Sequence, residues 1–291
     1  MRGAVRKWIH AAGLGRVVDR VEALLRPSIR IRTWERDEDA IPVGASKLGG
    51  LPDLPPRVEW PRWLGWPEQR KANAASPEPM PENYRDRSEE RDGPMCFLAQ
   101  LRLADVAPCD AEGVLPPAGM LFVFCALWVD ALGESRKDRG AWRVIYHDGD
   151  PSDLRRTPPP ADASRPLGCE AVAFFEELTL PDCNQSEYKG LGLNREESDR
   201  YYKLLMAQMQ AHPWQDEPTH RLLGWPQLVQ SEMRDSLYPR GHRDWRLLLQ
   251  IATHHRPRLL WQGGGRGYFW IREADLRARK FDRTWLVMQC T

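Results

Sequence analysis

Four glycines surround one arginine in Gly263-Gly264-Gly265-Arg266-Gly267. Such a run can cradle an anion through backbone N–H groups. No Gly-Lys-Ser/Thr follows, and the run precedes an apolar, strand-like stretch rather than a helix. The contexts of a P-loop and of a dinucleotide fingerprint are therefore both missing. A tight turn that uses glycine for positive φ is the plainer reading. His254-His255 and His147-Asp148 offer acid–base or metal-binding groups. Adjacent side chains of a strand point to opposite faces, so neither pair converges on one ion. No Gly-x-Ser-x-Gly, His-Glu-x-x-His, Cys–His nucleophile signature or paired-carboxylate motif occurs. Glu176-Glu177 sits within an apolar run, which places at least one of the two in solvent.

Glutamines embedded in apolar runs are more informative. Gln100 lies inside FLAQLRL (97–103), Gln250 inside LLLQIAT (247–253), and Gln230 closes LLGWPQLVQ (222–230). A buried amide is costly unless it is hydrogen-bonded. Gln100 and Gln250 occupy equivalent places and so share a task. Either they stitch a loop backbone, or they line a cleft in which Gln100, Gln250 and Arg266 orient an anionic ligand.

The elements that must position these residues occur twice in the same order. The first series is LGGLPDLP (48–55), FLAQLRL, GMLFVF (119–124) and WRVIY (142–146). The second is LLGWPQLVQ, LLLQIAT, GYFWI (267–271) and WLVMQ (285–289). Each runs from a Gly-x-Pro turn to a Gln strand, an aromatic strand and a strand opened by Trp. An internal duplication makes a scaffold, and a scaffold need not be an enzyme. Gly50 to Gln100 spans 50 positions and Gly224 to Gln250 spans 26. The excess falls in the polar, Pro-rich stretch 68–94, and a surface-loop insertion costs little entropy.

The remaining elements follow from periodicity and caps. Residues 1–26 predict a basic amphipathic helix with Trp8, Ile9, Val17 and Val21 on its apolar side, interrupted at Gly13 and Gly15. Eight basic residues in the first 32 face Asp19 and Glu22. Such a helix can lie on a membrane surface or pack on its own domain. Strands are expected at 96–103, 119–129, 142–147 and 170–180. Asn194 with Glu197 forms a capping box that opens a helix through about His212, with Tyr201, Leu204, Leu205 and Met209 as its apolar side. A short helix is expected at 272–280. Strands with segregated helices give an α+β class: mostly antiparallel duplicated β units, a few helices and the N-terminal helix. The divisions are 1–41 (helix and connector) and a duplicated domain 42–291, with units at about 42–150 and 219–291 and a connector at 151–218.

Composition narrows the function classes. The 291 residues are 42% apolar, enough for a real core. Lys and Arg total 42 against 41 Asp and Glu, so there is no global reason to expect nucleic acid. The six cysteines show no Cys-x-x-Cys, and no histidine stands at zinc-ligand spacing near them. With no leader-like start and no apolar run long enough to span a bilayer, this points to a reducing cytoplasm and to no cofactor or metal. Thirteen tryptophans are many for this length. Those in strands are expected in the core. Trp60, Trp63 and Trp66, in a Pro-rich loop, suit either packing or a binding surface.

The segments SKLGGLPDLP, FLAQLRLADV, LPPAGMLFVF, HRLLGWPQLVQSEM, LLLQIAT and LLWQGGGRGYFWIREADLRARKFDRTWLVMQC, in this order over 42–291, resemble the YwqG-like family of bacterial proteins. The resemblance implies an internally duplicated α+β fold, no established catalytic residues, and membership of a group proposed to include immunity proteins against polymorphic toxins. Where that family has Trp-Gly-Asp before the glycine-rich turn, this chain has Trp261-Gln262-Gly263, which removes the carboxylate from any cation role there. The expectation is a cytoplasmic protein-binding module, not an enzyme, that neutralises a toxin or effector. Loop 57–94 makes contact through Arg57, Trp60, Trp63 and Trp66, and the charges of 82–92 set specificity. The alternative is a small-molecule-binding protein or hydrolase with a cleft between the units.

Overall fold

The computed structural model describes residues 2–66, 92–129, 131–210, 218–254, 259, 261 and 264–290. Its centre is a ten-stranded antiparallel sheet in the order β14-β13-β12-β11-β1-β10-β2-β6-β7-β8. These strands are β1 (Arg26–Glu35), β2 (Lys47–Leu48), β6 (Cys96–Arg102), β7 (Met120–Cys125), β8 (Trp142–His147), β10 (Glu170–Thr179), β11 (His220–Leu223), β12 (Trp245–Ala252), β13 (Arg266–Arg272) and β14 (Trp285–Gln289). Two small pairs lie beside it: β3 (Asp53–Leu54) with β9 (Arg155–Arg156), and β4 (Arg62–Trp63) with β5 (Gly93–Pro94).

The strand order reads outward from the middle in both directions. β2, β6, β7 and β8 follow one another on one side of the β1–β10 pair, and β11, β12, β13 and β14 do so on the other. Gln100 stands opposite Lys47 and Phe122, and Gln250 opposite Arg221 and Tyr268. Each glutamine strand is bulged two residues before its glutamine, between Phe97 and Ala99 and between Leu247 and Leu249. The turn after β2 carries Gly49 and Gly50 at φ 64° and 69°, and the turn after β11 carries Leu223 and Gly224 at 58° and 70°. Leucine at a left-handed position carries a steric cost that glycine does not. Leu223 bears it with its side chain buried.

The sheet curls until its outer strands meet, forming a nearly closed barrel. The Trp142 indole N–H donates to Thr284 O at 2.8 Å, and the two rings of Trp142 and Trp285 sit 5.1 Å apart, edge to face. The Trp285 indole donates to Gly133 O, and Met288 N to Leu132 O. These bonds cover strand edges that would otherwise expose unpaired backbone groups. Gly133, at φ 79°, permits the approach: a Cβ there would overlap the Leu286 carbonyl oxygen.

Residues 26–35, placed by the sequence in an N-terminal connector, form β1. It pairs with β10 over its whole length and with β11 on its other edge. The period-2 pattern is present: Ile29 and Ile31 enter the main core and alternate with Ser28, Arg30 and Arg32. Six α-helices are described: α1 (Arg2–Ala11), α2 (Val18–Ala23), α3 (Leu103–Val106), α4 (Ser186–Lys189), α5 (Arg195–Gln210) and α6 (Glu273–Arg277). The Asn194–Glu197 box is closed in both directions, Glu197 N to Asn194 Oδ1 at 2.9 Å and Asn194 N to Glu197 Oε2 at 3.0 Å. Ile9, Leu14, Val17 and Val21 pack with Leu178, Leu180, Tyr201 and Leu204 in a second core, so the N-terminal segment docks on its own chain. Arg16 adds bonds to Glu197 at 2.6 and 2.5 Å.

Candidate functional site

Gln100 and Gln250 each bond the backbone of a neighbouring loop. Gln100 Oε1 accepts from Asp53 N at 2.8 Å, and its amide donates to Ala45 O at 2.7 Å. Gln250 Oε1 accepts from Gln227 N at 2.9 Å, and its amide donates to Thr219 O at 2.8 Å. Each amide reaches the residue two before its partner strand's facing residue and the peptide that leads away from the turn. Both side chains are wholly buried. A wholly buried amide keeps its cost low only by hydrogen-bonding, and each of these both accepts and donates.

Beneath the first loop lies a buried ionic cluster. Lys47 Nζ, with no exposure, is 2.6 Å from Glu38 Oε1 and 3.7 Å from Asp53 Oδ2. Asp53, equally buried, takes Arg156 Nε at 2.9 Å, Gly44 N at 2.8 Å and the Gln100 amide at 2.7 Å. Burial alone pushes this carboxyl up. The Arg156 bond, Gly44 N–H, Gln100 and the Lys47 charge outweigh it and hold Asp53 below the usual carboxylate range. Arg156 also donates to Glu38 O and Ile41 O, which ties three chain segments together. At Gln250 the loop residue bound is Gln227. Its carbonyl accepts from the Tyr268 hydroxyl at 2.7 Å and from Arg266 at 3.0 Å. Gln289 continues the seam, accepting from Val229 N and Gln230 N and donating to Ser231 O.

The family model described as "Domain of unknown function (DUF1963)" matches residues 46–290. The chain belongs to this family. No curated protein matches it.

Within this DUF1963 domain, the residues singled out from the sequence are distributed as follows. Arg266 and Gln250 meet at the Gln227 peptide, whereas Gln100 is at Asp53, and four strands of the sheet separate β12 from β6. Trp63 is buried on the short β4, its ring 5.2 Å from Trp66. Trp60 packs edge-on against Phe124 at 5.5 Å and donates to Met95 O at 2.8 Å. Lys137 lies 5.5 Å above the Trp66 ring. These three tryptophans fasten the loop to the sheet, and Arg57 is the exposed member of the four. Residues 67–91 of loop 57–94, including most of the 82–92 charges, and also Gly263 and His255, lie outside the described residues.

His254 turns toward Glu170: Nδ1 is 2.9 Å from Glu170 Oε2. Burial raises the Glu170 carboxyl, and the charge of His254 pulls it partly back. His220 is wholly buried, and burial, then His254, Arg30 and Arg266, push it down to about 3, so its ring is neutral. Its Nδ1 accepts from Ala252 N at 3.2 Å. Among the described residues no group of three or more His, Cys, Asp or Glu could hold a metal ion. Sequence reasoning missed Lys47, Glu38, Asp53 and Arg156 as a unit. No spacing signal joins them, because Asp53 and Arg156 are brought together from 103 positions apart.

Proposed function

We propose that this chain is a recognition scaffold, not an enzyme, built from two copies of one sheet-and-loop unit at about 42–150 and 219–291. Its partner would be a cognate bacterial effector or toxin that it neutralises in the cytoplasm by direct binding. The observation that carries the reading is the first loop. Its backbone is pinned by Gln100, by Asp53 with Arg156, by Trp60, and by Leu51 N on Glu38 Oε2. Along the same segment Val43 and Leu64 remain 52% and 54% exposed, and Arg57 is exposed too. A loop held rigid before contact loses little entropy on binding, and exposed apolar and arginine side chains on it suit a protein partner.

In this reading Trp60, Trp63 and Trp66 position the surface, and Arg57 and Leu64 touch the partner. Two copies are supported by the shared glutamine bonds, the shared bulge and the shared left-handed turn. The YwqG-like resemblance supports the immunity role. The test is a titration of the purified chain with the product of the adjacent gene. Binding at micromolar or tighter concentration, weakened at least about tenfold by Leu64→Asp or Arg57→Glu, is the expected result. No binding at micromolar concentration overturns it.

A further inference from the structure

A cleft of about 350 Å³ lies between the 113–117 segment of the β6–β7 connector and the edge formed by β12 and α6. The two walls come from the two halves of the chain. Leu115 and Leu276 supply apolar surface, and Arg246, Arg277 and Arg279 supply three guanidinium groups. Glu273 is the one carboxylate among the described lining residues. The volume falls in the range of small-molecule sites, where apolar walls with a few convergent polar groups are the rule.

Two of the arginines are paired with carboxylates. Arg246 is bonded to Glu112 and lies 3.4 Å from Glu273. Arg277 is 2.9 Å from the other oxygen of Glu273, so one carboxylate serves two guanidiniums. Arg279 is the informative residue. It sits just past α6 at φ 56°, with its N–H on Leu276 O and Lys280 N on Asp275 O. That double bond closes a helix C-terminus whose left-handed residue is ordinarily glycine. An arginine there accepts backbone strain, and strain retained at a cleft points to a use for the side chain. The guanidinium lies 6.0 Å from the Tyr146 ring, and Asp148 is at the outer limit of ion pairing, 3.9 Å away.

We propose that this cleft binds a compact anion carrying an apolar body, such as a small phosphomonoester or an aromatic carboxylate. Glu112 and Glu273 balance two of the three guanidiniums, which leaves Arg279, with Asp148 only at the outer limit of pairing, to meet a ligand's charge. The planar forks match phosphate and carboxylate oxygens. The leucines take the apolar body. The site stands apart from the pinned loop and does not rest on the recognition reading.

The test is calorimetric titration of the full chain at low salt with phenyl phosphate, phthalate, inorganic phosphate and, as a neutral control, benzyl alcohol. At least one of the first two binds with a Kd below about 1 mM, inorganic phosphate binds more weakly, and benzyl alcohol gives no signal. Whichever of the two aromatic probes binds more tightly separates a phosphate from a carboxylate ligand. Arg277→Ala weakens binding at least about tenfold. Arg279→Gly does the same while raising Tm by about 2 °C, because it removes the strain together with the charge. Failure of both phenyl phosphate and phthalate to bind with a Kd below about 1 mM overturns the proposal, as does full affinity in folded Arg279→Gly.

Discussion

Replacing each matched glutamine by methionine keeps the volume and removes the polar atoms. In Gln100→Met the buried Asp53 N–H loses its acceptor and the Asp53 carboxylate loses one of its donors. At about 2 kcal/mol for each of these, and about 1 for the half-buried Ala45 carbonyl, the cost is about 5 kcal/mol. Gln250→Met strands only the Gln227 N–H and the Thr219 carbonyl, both half-buried, for a cost of about 2 kcal/mol. The difference comes mostly from the Asp53 carboxylate, which Gln250 has no counterpart for, and partly from the deeper burial of the Asp53 N–H. Urea unfolding followed by tryptophan fluorescence measures both, and an unchanged m-value shows that the unfolded state is the same. The double variant costs the sum, because four strands separate the sites. A Gln250→Met penalty equal to or larger than that of Gln100→Met would refute the argument that these amides are valued for the backbone and carboxylate groups they satisfy.

Three further outcomes follow from the same geometry. Gly133→Ala forces a Cβ into the Leu286 carbonyl and separates the strands that close the barrel, a loss of about 3 kcal/mol or more in the same unfolding assay. His220 is held down to about 3 when folded against 6.5 when free, so the unfolded state takes up the proton first as pH falls. Its contribution is fully present above pH 6.5 and declines from there toward pH 3. About 2 kcal/mol is lost between pH 8 and pH 5, and His220→Gln removes that part of the pH dependence. Cys169, pushed up to about 12 by burial and then by the Glu38 charge, stays unmodified by iodoacetamide at pH 8 until the chain unfolds. Mass spectrometry of the native protein checks this.

Much of the architecture is legible in the residues. Strands expected at 96–103, 142–147 and 285–289 occur at Cys96–Arg102, Trp142–His147 and Trp285–Gln289, because apolar runs bounded by Gly, Pro and Asp have few other ways to bury themselves. The Asn194–Glu197 box is a local interaction and forms as read. β1 went unread although Ile29 and Ile31 alternate with arginines. An alternating strand rich in arginine looks solvent-facing until it is known that both its edges are paired. The tryptophans of the Pro-rich loop could be read as display or as packing, and composition alone leaves both open. Their fastening to Met95, Phe124 and Lys137 depends on which strands lie beneath.

By itself, then, the sequence determined several of the strands and the capped helix, since period, caps and turn chemistry act over a few residues. Tertiary structure alone decided what those elements enclose. The Asp53–Arg156 and Glu170–His254 pairs and the three arginines facing the 113–117 segment join positions far apart in the chain. Contacts of that kind arise from the order and curl of the strands, which no local pattern of residues encodes.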